Sequence, residues 1–546
     1  MKKKIFSLIT CVALCFCSCE NNFDPSIYGQ LFSTNFPKTE SDYEAYLMGC
    51  YIPFSNVWTY NLSGNSQHTM YVPEGGYLRM FDGTSDYGLP WSIGNWGGGW
   101  LQLSQGNFEN THLYSAGSSG GSPSHFAKIR DITRFTEIIG VLDQAPEEIL
   151  SSEKRKNFVG EARLLRGLMM YNLLHIYGPV PVIVDPALIG DSIAERNMIR
   201  PTLSEMATFI YDDFAFAVDN MVETAVKGRY TANYARFCLM RHCLNEGEHM
   251  SGYYDKSIEM FQALKASGKY SLYTTGGLDA YANQFKQANK FNSEIIMAFS
   301  TSASGDGTDT KGDFNPISLY VLPGDVARFE DAANTIPTPY TMYGGGWGQC
   351  YNVAPLYYDT YEEGDVRRDV IETHYYQNNA DRTLRDRSNV GITWSGFIIN
   401  KFPQEIPQQF QPTDIPLARW ADALLMYAEA TARKNNSVPS GDILNETINA
   451  VRARAGLAPL SGNTITSYDA FMEAMLAERG HELLYEGCRK IDLIRFNKYR
   501  RNCVQTKNLA PTHQYMKIPN YAVIQAADFG RTLTQEYSRP GWDQDI

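Results

Sequence analysis

The stretch Glu161-Ala162-Arg163-Leu164-Leu165-Arg166-Gly167-Leu168 runs on through Leu174-His175-Ile176-Tyr177 into Gly178-Pro179-Val180-Pro181. It is the clearest helix and helix stop in the chain. Ser151-Ser152-Glu153 is a suitable start, and Phe158, Ala162, Leu165, Met169, Leu173 and Ile176 recur at helical spacing as one apolar stripe. Gly178 and the two prolines end the helix, since proline lacks the amide hydrogen and pushes the residue before it toward extended backbone. Val182-Ile183-Val184 then reads as extended.

The same periodicity extends outward on both sides. Thr39 is an N-cap for a helix from Glu40, with Tyr43, Tyr46, Leu47 and Cys50 on one face. Further helices are expected at 125–143, 202–222, 231–250, 254–267, 353–361, 414–433, 441–455, 467–484 and 487–497, and a short buried strand at 292–299. Small residues at Ala428, Ala430 and Ala432 suit close helix crossings of the tetratricopeptide kind, although no strict 34-residue period is present. Two stretches break the pattern. Residues 58–124 are rich in Gly, Ser, Asn, Trp and Tyr and read as a long irregular insertion; residues 300–350 are again loop-rich. Long ordered loops of this type usually carry function.

The first residues point to export. Lys2, Lys3 and Lys4 precede an apolar run, Ile5 to Cys17, that is too short to span a bilayer. Ser18-Cys19 followed by polar Glu20-Asn21-Asn22 looks like a bacterial lipoprotein signal: residues 1–18 leave, Cys19 becomes the lipidated first residue, and 19–38 form a tether. Cleavage before Cys17 would have to follow bulky Phe16; an ordinary secretory signal is the alternative. No later stretch is apolar enough for a membrane helix, so the protein is expected to be anchored by acyl chains rather than to span.

Composition excludes one class of partner. The 546-residue chain is 43% hydrophobic and 20% charged, a globular balance, with a formal net charge of −12. Losing the three leader lysines takes the charge to about −15. An acidic chain without a basic tract repels phosphate backbones, so nucleic acid is not an expected partner. Cys50, Cys238, Cys243, Cys350, Cys488 and Cys503 form no CxxC pair and no zinc-like cluster, and are expected to be scattered buried thiols.

Four segments together resemble one family. The 161–181 stretch resembles the SusD/RagB pattern of an arginine-rich helix closed by Tyr-Gly and Val-Pro. Leu417-Ala418-Arg419-Trp420-Ala421-Asp422-Ala423-Leu424-Leu425-Met426-Tyr427-Ala428-Glu429-Ala430 is similar to its second hallmark helix, and Ile448-Asn449-Ala450-Val451-Arg452-Ala453-Arg454-Ala455-Gly456-Leu457 to its third. The fourth is Glu478-Arg479-Gly480-His481-Glu482-Leu483-Leu484-Tyr485-Glu486-Gly487-Cys488-Arg489-Lys490-Ile491-Asp492-Leu493, in which Gly480 replaces the usual arginine. The resemblance implies a mainly α, SusD-like fold, with tetratricopeptide-like helix pairs packed against a loop-rich region with a few short strands. It divides the chain into an N-terminal region, 39–320, and a C-terminal SusD/RagB region, 321–546. It also implies a non-enzymatic, outer-membrane, cell-surface lipoprotein that binds oligo- or polysaccharide and sits over a SusC-like TonB-dependent transporter. Some members import peptides or other nutrients instead.

The charged motif residues Glu161, Arg163, Arg166, Arg452, Arg454, Glu478, Arg479, Glu486 and Arg489 read as ion pairs between packed helices rather than as ligand anchors. Sugar binding asks for other chemistry: a flat aromatic face for the C–H side of a pyranose, and amides or carboxylates for its hydroxyl rim. Two Gly-rich loops supply these. Pro90-Trp91-Ser92-Ile93-Gly94-Asn95-Trp96-Gly97-Gly98-Gly99-Trp100 has Tyr77 and Tyr87 upstream; the other is Tyr340-Thr341-Met342-Tyr343-Gly344-Gly345-Gly346-Trp347-Gly348-Gln349. Trp96, Trp100, Tyr343 and Trp347 are the expected ligand-binding aromatics, with Asn95, Gln349 and Asp82 as polar companions and Trp58 as a further candidate. Trp91, Trp394 and Trp420 are assigned to the core.

Catalytic patterns do not develop. Gly117-Ser118-Ser119-Gly120-Gly121 fits a nucleophile elbow literally but lies in a Gly/Ser tract without the strand and helix such a turn needs. His481-Glu482 lacks the second histidine of a zinc site, and Asp306, Asp309 and Asp313 do not have EF-hand spacing, so no cofactor is expected and a structural calcium is unsupported. A secreted carbohydrate-active hydrolase and a helical scaffold without small ligand are the competing classes.

Overall fold

The computed structural model describes residues 36–55, 59–60, 67–71, 76–90, 102–108, 125–226, 228–301, 315–329, 351–377, 381, 383–389, 396–405 and 411–545. Helices dominate. α1 (Glu40–Tyr51) opens on a capping box: the Thr39 hydroxyl accepts from the Asp42 amide, and the Asp42 carboxylate accepts from the Thr39 amide. α2 (Tyr77–Phe81) is short. α3 (Ile129–Asp143) and the long α4 (Ser152–Tyr177) follow, then α5 (Leu203–Asn220), α6 (Ala232–Glu246) and α7 (Tyr253–Ala266). Each of these five packs on the next. α4 is capped by Ser151 and stopped at Gly178, whose φ of 75° suits glycine and whose bare Cα faces the Tyr537 ring.

The C-terminal part adds α8 (Pro355–Tyr358), α9 (Trp420–Asn435), α10 (Gly441–Glu446), α11 (Ile448–Arg454), α12 (Tyr468–Glu482), α13 (Arg489–Arg495), α14 (Tyr499–Lys507) and α15 (Asn520–Asp528). α9 joins the two parts, packing on α6 and α7 on one side and on α11 and α12 on the other. One hydrophobic core runs from Tyr43 to Leu533 through both; a smaller cluster gathers Leu493, Tyr499, Cys503 and Trp542 near the C-terminus. Cys50, Cys238, Cys243, Cys488 and Cys503 are free and buried. No helix among the described residues is long and apolar enough to cross a membrane.

The strands are short: β1 (Thr59–Tyr60) with β2 (Gln67–His68), β3 (Ile295–Phe299) with β9 (Ile415–Arg419), β4 (Val326–Phe329) with β6 (Tyr375–Gln377) and β7 (Leu384–Arg385), and β5 (Ile371–Glu372) with β8 (Ile398–Ile399). All pair antiparallel.

Several expectations need correction. The helix expected from 414 begins at Trp420. Its first residues form β9 instead, because β3 offers an antiparallel partner, with Ile295 opposite Arg419, Ala298 opposite Pro416 and a register shift between them that leaves Leu417 without an opposite residue. The 441–455 helix breaks at Thr447, where φ is −113° and ψ −100°, and the 353–361 helix shrinks to one turn at 355–358. Val182-Ile183-Val184 pairs with no described strand; Thr136 and Arg166 donate to the Ile183 and Val184 carbonyls instead. The 58–124 stretch is not all surface loop. Within it Tyr77 to Phe81, Asp82 and Thr84 to Tyr87 are buried, and Tyr87 is wholly inside. Local polarity hid this, since the packing partners of these residues lie some 400 residues away.

Candidate functional site

Leu89 and Asn352, which border the two aromatic Gly-rich segments, are far apart in sequence but meet in the fold. Leu89, just before the first loop, donates its amide to Asn352 Oδ1 at 2.8 Å; Asn352 Nδ2 returns a bond to the Leu89 carbonyl at 3.2 Å, across 263 residues. Asn352 stands just after the second loop. It is held from below by the Tyr485 hydroxyl, which donates to its carbonyl at 2.7 Å. The Ala354 amide donates to the Tyr87 carbonyl at 2.7 Å, and Val353 and Phe397 exchange backbone bonds at 2.9 and 2.8 Å. Thus Leu89, Asn352 to Ala354 and Gly396 to Phe397 meet in one patch. Gly88 and Gly396 permit the contact: a Cβ would lie 2.9 Å from the Asn352 carbonyl oxygen at Gly88, and 2.6 Å from Asn352 Oδ1 at Gly396.

Beneath this patch lies an aromatic floor. The Tyr87 ring packs edge-on against Tyr357 at 4.9 Å and lies 5.2 Å from Tyr485, which in turn is 5.5 Å from Tyr351. Arg489 lies over Tyr87 and Tyr357 at 5.7 Å from each ring. Its guanidinium forks onto Asp86 with two bonds of 2.8 Å. Burial pushes the Tyr357 and Tyr485 hydroxyls well above the usual phenol range, so both stay neutral donors.

Below the floor an ion-pair lattice ties β3, β9, α11, α12 and the turn after α12 together. Arg419 reaches Glu294 at 2.5 Å, Glu482 at 3.0 Å and Glu486 at 2.6 Å. Arg454 pairs with Glu294 at 2.6 Å and also with Glu482. Arg367 bridges Asp365 and Glu478 at 2.8 and 2.5 Å, and Lys401 joins Glu486 at 2.5 Å. Arg479 connects Asp422 to Asp492. Farther along, Arg229 grips Glu161, while Arg163 and Arg166 share Asp213. Every charged motif residue assigned to interhelical pairing in the sequence is paired here, most of them fully buried. The lattice is costly to desolvate and therefore holds only with every partner in place; it fixes the orientation of the helices under the loops.

The candidate ligand residues divide into two groups. Trp58, Asn95, Trp96, Trp100, Tyr343, Trp347 and Gln349 lie outside the described residues, as do Cys19, Trp91, Trp394, Ser119, Asp306, Asp309 and Asp313. Asp82 is described, and it is inside. Its carboxylate accepts from the Gly487 and Arg489 amides at 2.5 and 3.1 Å, tying the end of α2 to the start of α13. Burial pushes its pKa up to about 7 despite those donors. That makes it an internal clasp, not a rim group for a sugar. Tyr77 and Tyr87 are likewise core residues. Trp420 is in the core as expected, stacked on Phe261 at 5.3 Å. Asn352 escaped the sequence reading, because nothing local distinguishes it; its role rests on a contact to Leu89.

Comparison with known proteins agrees with this architecture. Residues 293–542 match the SusD family model. The SusD-like protein P38 of Formosa agariphila is 25% identical over 360 residues, which cover 62% of this chain and 66% of that relative, just under two thirds of its length. Among solved structures, a laminarin-binding SusD-like protein superposes with a TM-score of 0.66 at 21% identity, over 92% of this chain and 100% of that one. The surface glycan-binding protein A from Bacteroides fluxus gives 0.66 at 20% identity, over 92% and 100%. The chain has the SusD superfamily fold.

Proposed function

We propose that this chain, whose residues 293–542 carry the SusD family pattern on a SusD superfamily fold, is a cell-surface lipoprotein that captures oligo- or polysaccharide and delivers it to a TonB-dependent transporter. The observation that supports this reading is the stitching of Leu89 to Asn352, which brings together two positions that border the Trp- and Tyr-bearing glycine-rich segments in sequence. Relatives of the same fold are named for laminarin and surface-glycan binding. Capture is by stacking: Trp96, Trp100, Tyr343 and Trp347 offer flat faces to pyranose rings, and Asn95 and Gln349 take hydroxyls, with Trp58 as a further contact. No proton transfer is required. Lipidation at Cys19 holds the protein at the outer membrane beside the transporter.

The test is an affinity-gel and calorimetric screen of the full mature chain against plant, host and microbial glycans, laminarin included. Binding without release of reducing ends is the expected result. Trp96→Ala and Trp347→Ala should each weaken it about tenfold, roughly 1.4 kcal/mol, with the melting temperature unchanged. Steady product release would instead make the protein a hydrolase, and retention of peptides but of no glycan would make it a peptide receptor.

A further inference from the structure

A groove of about 530 Å³ runs between α3, α5, α15 and the 181–198 segment that follows α4. That volume lies within the roughly 300–1,000 Å³ of pockets that take small ligands. None of the residues lining it belongs to the Asn352 patch or to its aromatic floor. Leu188 and Phe209 give it apolar walls.

The groove carries both signs of charge, and they do not meet. Arg130 of α3 and Glu195, at the end of the single helical turn Ser192–Glu195, both line it and are both exposed. No ion pair joins them, and the Arg130 guanidinium has no hydrogen-bond partner among the described residues. Glu195 uses Oε1 to accept from the Gly190 amide at 3.2 Å, which leaves Oε2 uncommitted among those residues. The backbone adds donors on this side. The Ile183 and Val184 carbonyls are held inward by Thr136 at 2.7 Å and Arg166 at 2.8 Å. In a trans peptide the N–H points opposite to the C=O. The Val184 and Asp185 amides therefore point away from Thr136 and Arg166, and neither meets an acceptor among the described residues. Two successive amides aimed alike form a cup for a carboxylate. The Asp185 carboxylate itself is taken up by the Ala187 amide at 2.9 Å.

A lone anion in this groove would face Glu195, and a lone cation would face Arg130. A neutral molecule would leave both unanswered. From this juxtaposition we infer that the groove is a separate binding site for a short zwitterionic peptide of two or three residues. Its terminal carboxylate goes to Arg130 and the Val184 and Asp185 amides, its ammonium group to Glu195, and an apolar side chain between them to Leu188 and Phe209. The site is independent of the loop platform.

The test is calorimetry and saturation-transfer NMR on the full mature chain with the tripeptide Ala-Leu-Ala, its N-acetylated form, its C-terminal amide, glucose and inorganic phosphate. The free tripeptide should bind in the millimolar range, each blocked form about tenfold more weakly, and saturating polysaccharide should not displace it. Arg130→Gln should weaken the free tripeptide about tenfold and leave the C-terminal amide where it was; Glu195→Gln should do the same for the free and N-acetylated forms. Both side chains are exposed, so both variants should melt as the parent does. The inference is overturned if the free tripeptide does not bind, if the blocked forms bind as tightly, if binding survives both substitutions, if polysaccharide displaces the peptide, or if only glucose or phosphate binds. Loss of polysaccharide retention with peptide binding intact would sink the platform and leave this site standing.

Discussion

The side-chain amide of Asn352 grips the backbone of Leu89 at both its groups, accepting from the N–H at 2.8 Å and donating to the carbonyl at 3.2 Å. A side-chain amide used this way imitates a strand partner. It joins two positions 263 residues apart, each bordering one of the aromatic glycine-rich segments in sequence.

Asn352→Ala removes both bonds and leaves two part-buried backbone groups unmet, which costs about 1–3 kcal/mol. The expected outcome is a lower melting temperature together with weaker glycan retention, although every aromatic residue is intact. Asn352→Asp keeps the acceptor and loses the donor, so it should fall between parent and Ala. Unaltered retention in the Ala variant would show that the loops do not need this stitch.

Arg419 sits wholly inside, facing Glu294, Glu482 and Glu486. Arg419→Met keeps most of the volume and takes one buried cation from three carboxylates, leaving Glu294 and Glu482 to Arg454 and Glu486 to Lys401. Breaking a buried pair from one side costs about 3–5 kcal/mol. Denaturant unfolding should report a loss of that size, and the loss should shrink when Glu482→Gln is added.

Gly480 stands where the family pattern expects arginine. A Cβ there would come within 2.6 Å of both Arg489 Nη1 and the Tyr357 hydroxyl oxygen. Gly480→Ala should therefore destabilise by about 1–3 kcal/mol through overpacking, against the usual gain of alanine in a helix. A more stable Ala variant in chemical denaturation would refute the close packing described here.

Acid should unfold the protein through its buried carboxylates. Burial alone would raise Glu246, Asp422 and Glu429, but Arg539 beside Glu246, Arg479 and Arg241 beside Asp422, and Arg495 and Arg433 beside Glu429 outweigh it and hold each at about 2. Their folded values lie below their unfolded ones. The stability they contribute is thus complete above the ordinary carboxylate range and is lost as pH falls from about 4.5 toward 2. Asp82 acts with the opposite sign: raised to about 7, it favours the folded state at low pH, and that contribution drains away as pH climbs from about 4 to 7. Melting temperatures across pH 2–8 should fall steeply on the acid side. In Arg495→Met, where Glu429 loses the stronger of its two arginine partners and keeps Arg433, the acid limb should be shallower and the neutral-pH stability lower.

What the chain determined by itself was mostly helical. Thr39, Ser151 and Thr202 cap helices through bonds to residues three positions on, and the Phe158-to-Ile176 stripe repeats within each turn, so nearest neighbours in sequence contain the whole cause. The pairing of the charged motif residues was also legible, because arginines and glutamates on apolar helices have nowhere else to go. Tertiary structure alone decided that Ile415–Arg419 is a strand and not the first turn of α9, since a strand exists only when its partner, here Ile295–Phe299, lies alongside. It also decided that Asp82 and Tyr87, set in a polar glycine-rich stretch, are interior, and that Leu89 and Asn352 meet. Those outcomes depend on contacts between residues hundreds of positions apart, whose cost in chain entropy is met only when the entire core assembles.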